Sequence, residues 1–377
     1  MFAKWCRLVD GLLSRSSRCY TESMRKINVF AWLLCFPIAC GLMLLAAGTG
    51  HLQHLASAHQ GVPFYLFLSL LLAIPASISI LAAAFLFEWL VVGWSRSSLK
   101  TVWEARASVK LDVVSITITL LPLGRVGYVL SLGLLFAIDV HSGELANISL
   151  TRFLPLWGIQ VTCVLLFQSF IKYWVHRLEH AIPALWALHK FHHSADRMSI
   201  LNTARQTQLA RGVEEVLLFV PLALLSNPTA PRPVVGSLGF VTVVIYLAFR
   251  TFTGINMYLC HSNLTTGYGW IGRWLLLSPR MHRLHHATSP SYYNKNFTFD
   301  LVIWDRLFGT YAACDATAVT HLPLGLDDNP FNSRGTITDA LGGYFLTPYV
   351  VFWHELQKGF KAWLPARPTR EPSSVEY

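Results

Sequence analysis

Charge is scarce in this sequence: only 13% of its 377 residues are Asp, Glu, Lys or Arg, while 53% are hydrophobic. Soluble domains carry about 25% charged residues, so the composition excludes a disordered chain and argues against a water-soluble globule. Paired cysteines are missing too. The seven cysteines (Cys6, Cys19, Cys35, Cys40, Cys163, Cys260 and Cys314) form no C-x-x-C, which argues against a thiolate zinc site and a disulfide framework. Several sit in apolar runs, where cysteine acts as a small hydrophobe. No G-x-G-x-x-G follows a strand-like run and no P-loop pattern occurs, so phosphate-cradling loops are not expected. H-E-x-x-H, the zinc peptidase signature, is absent as well. Its nearest approach is His354-Glu355-Leu356-Gln357-Lys358, with lysine where the second ligand belongs.

Long apolar runs are what the chain has instead. About 20 apolar residues cross a bilayer core, and residues 29–48, 64–94 and 153–174 reach that length. Residues 113–138 are a weaker crossing, interrupted by Pro122 and Arg125. Residues 216–225 and 234–259 flank the turn SNPTAPRP and read as a hairpin that penetrates partway. Lysine and arginine in short loops set orientation. Residues 1–28 hold six, residues 50–63 none, residues 95–112 four and residues 139–152 one. The expected topology therefore has a cytosolic N-terminus and four crossings that return the chain to the cytosolic side near Lys172. The net charge of +10 then reports membrane topology, and no nucleic-acid partner is expected. The Gly342–Gly343 pair reads as a helix break, and residues 365–377 as a disordered tail.

Histidine is abundant and clustered. Of 15 histidines, five fall in HRLEHAIPALWALHKFHH and three in HRLHH. They form H-x-x-x-H at His176 and His180, then H-x-x-H-H at His189, His192 and His193 and again at His282, His285 and His286. Helix positions i, i+3 and i+4 share a face, so each box is expected to present its rings together. Pro183 lets the chain turn between the first two boxes. Eight imidazoles at the cytosolic ends of membrane helices suit a metal cage. Imidazole binds zinc, copper, iron and nickel, and a structural zinc needs only four ligands, so eight point to two ions. Soluble di-iron proteins pair glutamates with E-x-x-H, and no such pair stands out. His51, His54 and His59 in an outer loop, and the isolated His141, His321 and His354, read as ordinary polar residues.

The boxes, followed by MHRLHHATSPSYYNKNFTFDLVIWDRLFGTY, resemble the fatty acid hydroxylase/sterol desaturase superfamily of integral-membrane histidine-box di-iron enzymes, in its bacterial-type branch. Asn294, Asn296, Trp304, Asp305, Phe308, Gly309 and Thr310 carry the closing part of that likeness. Asn296-Phe297-Thr298 departs from it, because the family often has glycine after the asparagine and aromatic. The likeness covers about residues 154–311. It implies an all-α, multi-pass transmembrane protein with a cytosolic histidine-rich helical cap holding a di-metal site. It further implies nine metal ligands: His176, His180, His189, His192, His193, His261, His282, His285 and His286. His261, in LCHSN, enters by resemblance alone.

Two irons per chain, dioxygen as co-substrate and a bilayer lipid as substrate follow from the same likeness. The boxes do not choose between hydroxylation and desaturation; of the two, hydroxylation is favoured. Carboxylates often orient ligating histidines. Glu179, Asp196, Asp300 and Asp305 are candidates for that role, each equally readable as a solvated residue, with Asp305 placed first. Electrons are expected from a separate donor protein, which the basic cytosolic loops could dock. The expected organisation is a basic cytosolic segment (1–28), transmembrane helices (29–152), a catalytic domain (153–312) and a cytosolic or interfacial C-terminal segment (313–377). The protein is expected to be integral to a membrane, the bacterial inner membrane or the endoplasmic reticulum, with its active site on the cytosolic side. The rival reading is a non-enzymatic membrane metal protein, a zinc transporter or sensor. Transport would place ligands within the spans, whereas these boxes follow them.

Overall fold

Helix is the only repeating structure among the described residues of the computed structural model, which are 62–104, 107–120, 157–214, 237–331 and 336–363. The main helices are α1 (Val62–Val92), α2 (Ala107–Leu120), α3 (Trp157–Ala181), α4 (Pro183–His193), α5 (Ser237–Cys260), α6 (Pro279–His285), α7 (Ile337–Phe345) and α8 (Thr347–Trp363). Among these residues, extended pairing is limited to two isolated bridges, Leu276 with Leu301 and Ala287 with Leu324. Residues 29–48 and 216–225 lie outside the described residues, as do parts of the other expected spans. Among the described residues, no helix is long and apolar enough to cross a membrane.

Local chemistry sets the breaks that matter for the site. α3 stops at Ala181, Ile182 turns extended (φ −99°, ψ 117°), and Pro183 opens α4 at a first-turn position, where its missing N–H costs no hydrogen bond. α6 starts the same way: Pro279 follows Ser278, whose hydroxyl accepts the Met281 N–H. The Gly342–Gly343 pair does not break its helix. α7 runs through it to Phe345, begun by a reciprocal cap between Thr336 and Asp339. Gly343 sits against Leu111 of α2, where an added Cβ would lie 3.4 Å from the leucine methyl. Packing against α2 thus offsets the roughly 1 kcal/mol that a helical glycine costs.

Clusters of buried apolar side chains join the helices. Phe191 of α4 packs with Leu111 and Ile118 of α2, Ala340 and Tyr344 of α7, and Phe331. Ala84 of α1 meets Leu259 of α5, Leu264 and Ile200. Cys260, Leu277, Met281 and Val302 fill the space beneath α6, so Cys260 is a packing residue. Two buried polar centres tie distant segments to this core. Glu88 accepts the backbone N–H and hydroxyl of Ser98, both at 2.8 Å, and the N–H of Asn263 at 2.7 Å. Arg205 pairs with Asp112 of α2 and donates to Ser194 and Ser108. α7 and α8 also leave an apolar stripe open at helical spacing, formed by Ile337, Leu341, Phe345, Leu346, Val350 and Trp353.

Candidate metal centre

All nine histidines singled out in the sequence converge, and they do so as two groups. His176, His180, His189, His193 and His285 form one; His192, His261, His282 and His286 form the other. Within each group the nearest ring nitrogens all lie within 4.8 Å of one another. Eight of the nine are buried and His180 is half-buried. The two groups abut, with the His193 and His286 rings stacked at 4.4 Å between centroids.

Each H-x-x-H-H box is divided between the groups, contrary to the expectation of one shared face. A helix turns about 100° per residue, so i and i+4 diverge by about 40° while i+3 and i+4 diverge by about 100°. His189 and His193 therefore enter one group and His192 the other. In α6, His282 and His286 stay together and His285 crosses over. One short helix thereby serves both groups.

Hydrogen bonds fix which nitrogen four of the rings turn inward. Nδ1 donates to a backbone carbonyl in His176 (Phe297, 2.6 Å), His285 (Lys295, 2.8 Å), His192 (Arg205, 3.2 Å) and His261 (Met257, 2.9 Å). A carbonyl only accepts, so Nδ1 carries the proton and the neutral ring keeps a lone pair on Nε2. Yet the Nε2 atoms of His192 and His261 lie 3.1 Å apart. Two lone pairs at that distance repel unless a cation sits against both. Burial and neighbouring imidazoles make a proton a poor candidate. Desolvation is the chief cause that lowers the pKa of all nine rings, to about 4 for His261 and His285.

The donor set fits metal ions. Nitrogens about 2.0–2.1 Å from a common ion lie about 3 Å apart when they meet it at right angles. The Nε2 separations of His176–His189, His189–His193, His261–His282 and His282–His286 are 3.1, 3.2, 2.9 and 3.1 Å. Among the described residues, the buried atoms His180 Nε2 and His285 Nε2 have no hydrogen-bond partner, as befits lone pairs kept for a ligand. Glu179 places Oε2 3.0 Å from His189 Nδ1. Burial pushes that carboxyl well above its ordinary range, and a nearby divalent cation would supply the positive charge that a buried carboxylate needs.

Asp305 acts one layer farther out. Its carboxylate accepts the N–H groups of Phe297 (2.8 Å) and Thr298 (3.0 Å) and the Thr310 hydroxyl (2.7 Å), holding the segment whose Phe297 carbonyl grips His176. Asn296 reinforces that segment from a left-handed backbone (φ 57°), a conformation asparagine tolerates; its side chain bonds Met281 and Ala312. Asp300 accepts from Ser169 and from Leu301 N–H and pairs with Lys172, anchoring the same region to α3. Asp196 is exposed, as are His321 and His354, which join neither group. His51, His54, His59 and His141 lie outside the described residues. Sequence reasoning did not find the role of Arg205, whose carbonyl holds His192. No local pattern marks it, because its partner Asp112 is 93 positions away.

Residues 161–310 match the model of the fatty acid hydroxylase family. That stretch contains all nine histidines. Over that stretch the chain is similar to the fatty acid hydroxylase family. Among curated proteins it is similar to ornithine lipid hydroxylase OlsE of Rhizobium tropici, 34% identical over 154 residues, or 41% of this chain and 42% of that protein. It is similar to alkylglycerol monooxygenase of Danio rerio, 31% identical over 37% of this chain and 28% of the relative. The human alkylglycerol monooxygenase is 26% identical over 53% of this chain and 42% of its own length. The chain thus spans less than half the length of these relatives. No solved structure matches.

Proposed function

We propose that this chain is a membrane-bound lipid hydroxylase that uses dioxygen, two irons held by the nine histidines and electrons from a separate donor protein. The observation that carries the reading is the His192–His261 contact, in which both Nδ1 atoms are committed to carbonyls and both Nε2 atoms face one another. Imidazoles alone suit several metals. The relatives are named hydroxylases and monooxygenases, which favours iron, an enzyme and hydroxylation over a zinc transporter or sensor and over desaturation.

When bound, a pair of irons supplies the power to activate dioxygen against an unactivated C–H bond, chemistry that side chains lack. The residues of the chain supply the setting. Backbone carbonyls of Phe297, Lys295, Arg205 and Met257 hold four rings in one tautomer and orientation, and Glu179 holds a fifth. Burial keeps protons off the nitrogens at neutral pH. The Phe297 ring lies 5.2 Å from that of His180 and 5.7 Å from that of His176, so an apolar wall borders the groups where an alkyl chain would approach. The bilayer placement rests on the N-terminal apolar runs and on the stripe of α7 and α8, whose Ile337, Phe345 and Trp353 suit a headgroup–acyl boundary. The lysine and arginine distribution supports a cytosolic active site, and the basic loops offer an acidic electron carrier a docking surface.

Lipid extracts of cells producing the intact chain, compared with cells producing His285→Ala, test the reading. A lipid heavier by one oxygen, derived from labelled dioxygen and missing in the variant, is expected. A product lighter by two hydrogens would make the enzyme a desaturase. Identical extracts under aerobic conditions would sink the proposal.

A further inference from the structure

A cavity of about 230 Å³ opens beside the first histidine group, lined by Arg177, Ala181, Asn294, Phe297 and Thr310. Phe297 is the wall shared between cavity and histidines. Arg177 follows His176 directly, and its position is set by aromatic neighbours: the guanidinium lies 5.1 Å from the Trp174 ring and 6.0 Å from the Tyr173 ring. One of its nitrogens donates to the Tyr173 hydroxyl at 3.1 Å. The remaining donors have no partner among the described residues, and none of the described carboxylates forms an ion pair with it. Asp305, the nearby acid, already spends its oxygens on Phe297, Thr298 and Thr310. At the rim stands Asn294, exposed, on a left-handed backbone (φ 59°), its amide likewise unpartnered among the described residues.

A preorganised guanidinium and an amide converging on one cavity make a fork for a phosphate or carboxylate. Asp305 lies within electrostatic reach of Arg177, but its oxygens are already engaged, and an oxyanion can accept from guanidinium and amide together where a neutral hydroxyl cannot. We propose that Arg177 and Asn294 form an anion-binding subsite that takes the acidic headgroup of a lipid and holds it beside the histidine groups. This rests on the reading of the substrate as a lipid and narrows its class to acidic amphiphiles. A phosphate monoester, a phosphodiester and a carboxylate share the chemistry that the fork recognises.

The test uses the full chain in detergent micelles, titrated with short-chain phosphatidylglycerol, phosphatidylcholine and inorganic phosphate. Tryptophan fluorescence gives the affinity, and metal content is measured on the same samples. The intact chain is expected to prefer phosphatidylglycerol over phosphatidylcholine by about tenfold, the scale of a charge-assisted hydrogen bond. Arg177→Gln should erase that preference, and Arg177→Lys should keep part of it. Ala181→Leu fills the cavity without touching the charge and should also weaken phosphatidylglycerol, which guards against a folding defect in the arginine variants. Loss of preference with metals retained supports the subsite. Inorganic phosphate binding as tightly as phosphatidylglycerol would make the occupant a free anion and overturn the headgroup assignment. No preference in the intact chain, or preference unchanged in both Arg177→Gln and Ala181→Leu, overturns the subsite whatever the metal content. Absence of metal in the intact chain would count against the di-iron reading instead.

Discussion

Removing the Glu179 carboxylate isolates what one buried acceptor does for one histidine. Glu179 is 8% exposed, and its Oε2 lies 3.0 Å from His189 Nδ1. In Glu179→Ala that nitrogen loses its acceptor, so the ring can rotate or move its proton to Nε2 and withdraw a ligand from the five-histidine group. Outer partners of this kind are worth about 10–100-fold in metal affinity, or about 1.4–2.8 kcal/mol. The second group contains no atom of this pair, so one of two ions should loosen while the other holds. Glu179→Gln keeps an acceptor oxygen and should lose less than tenfold. A chelator competition that counts ions retained per chain reads this directly. If Glu179→Ala held both ions as tightly as the parent chain, the assignment of Glu179 to His189 would fail.

Further outcomes follow from the same contacts. Asp112→Asn leaves Arg205 buried beside a neutral partner, and removing one member of a buried pair costs about 3–5 kcal/mol; a denaturation midpoint unchanged from the parent would refute that role. Asp305→Asn replaces one accepting oxygen with a donor against the N–H groups of Phe297 and Thr298, so the carbonyl on His176 should shift and the five-histidine group bind metal at least tenfold more weakly, with the four-histidine group spared. Acid should unfold the metal-free chain. His261 and His285 titrate near 4 in the fold and near 6.5 when unfolded, so below pH 6.5 the unfolded state takes up protons first. Stability then falls by about 1.4 kcal/mol per pH unit for each ring until about pH 4. A flat denaturation midpoint between those values would contradict the buried, neutral state of the rings.

Sequence carried the site further than the architecture around it. Spacing of histidines along a helix is a local property, so the boxes and the turn at Pro183 could be read from a dozen residues at a time. His261 was reached only by family resemblance, because a single histidine has no period. The division of each box between groups follows from a helix rotation that the sequence shows, yet which side meets which partner depends on how α4, α5 and α6 pack. The sequence puts Asp305 ahead of Glu179 among the carboxylate candidates. Their difference, a direct contact with His189 against a grip on the Phe297–Thr298 backbone, is a tertiary fact. The carbonyls of Phe297, Lys295, Arg205 and Met257 leave no trace in residue identity at all. Gly342–Gly343 misled for the same reason: a weak local propensity gave way to a close approach between α7 and α2.

X-ray absorption at the iron edge, on chain purified anaerobically and loaded with ferrous iron, probes the bimetallic histidine centre most directly. The account requires two irons per chain, a first shell of nitrogen and oxygen with the scattering pattern of multiple imidazoles, and loss of part of that pattern in His192→Ala. One iron or none per chain, or sulfur in the first shell, would contradict it.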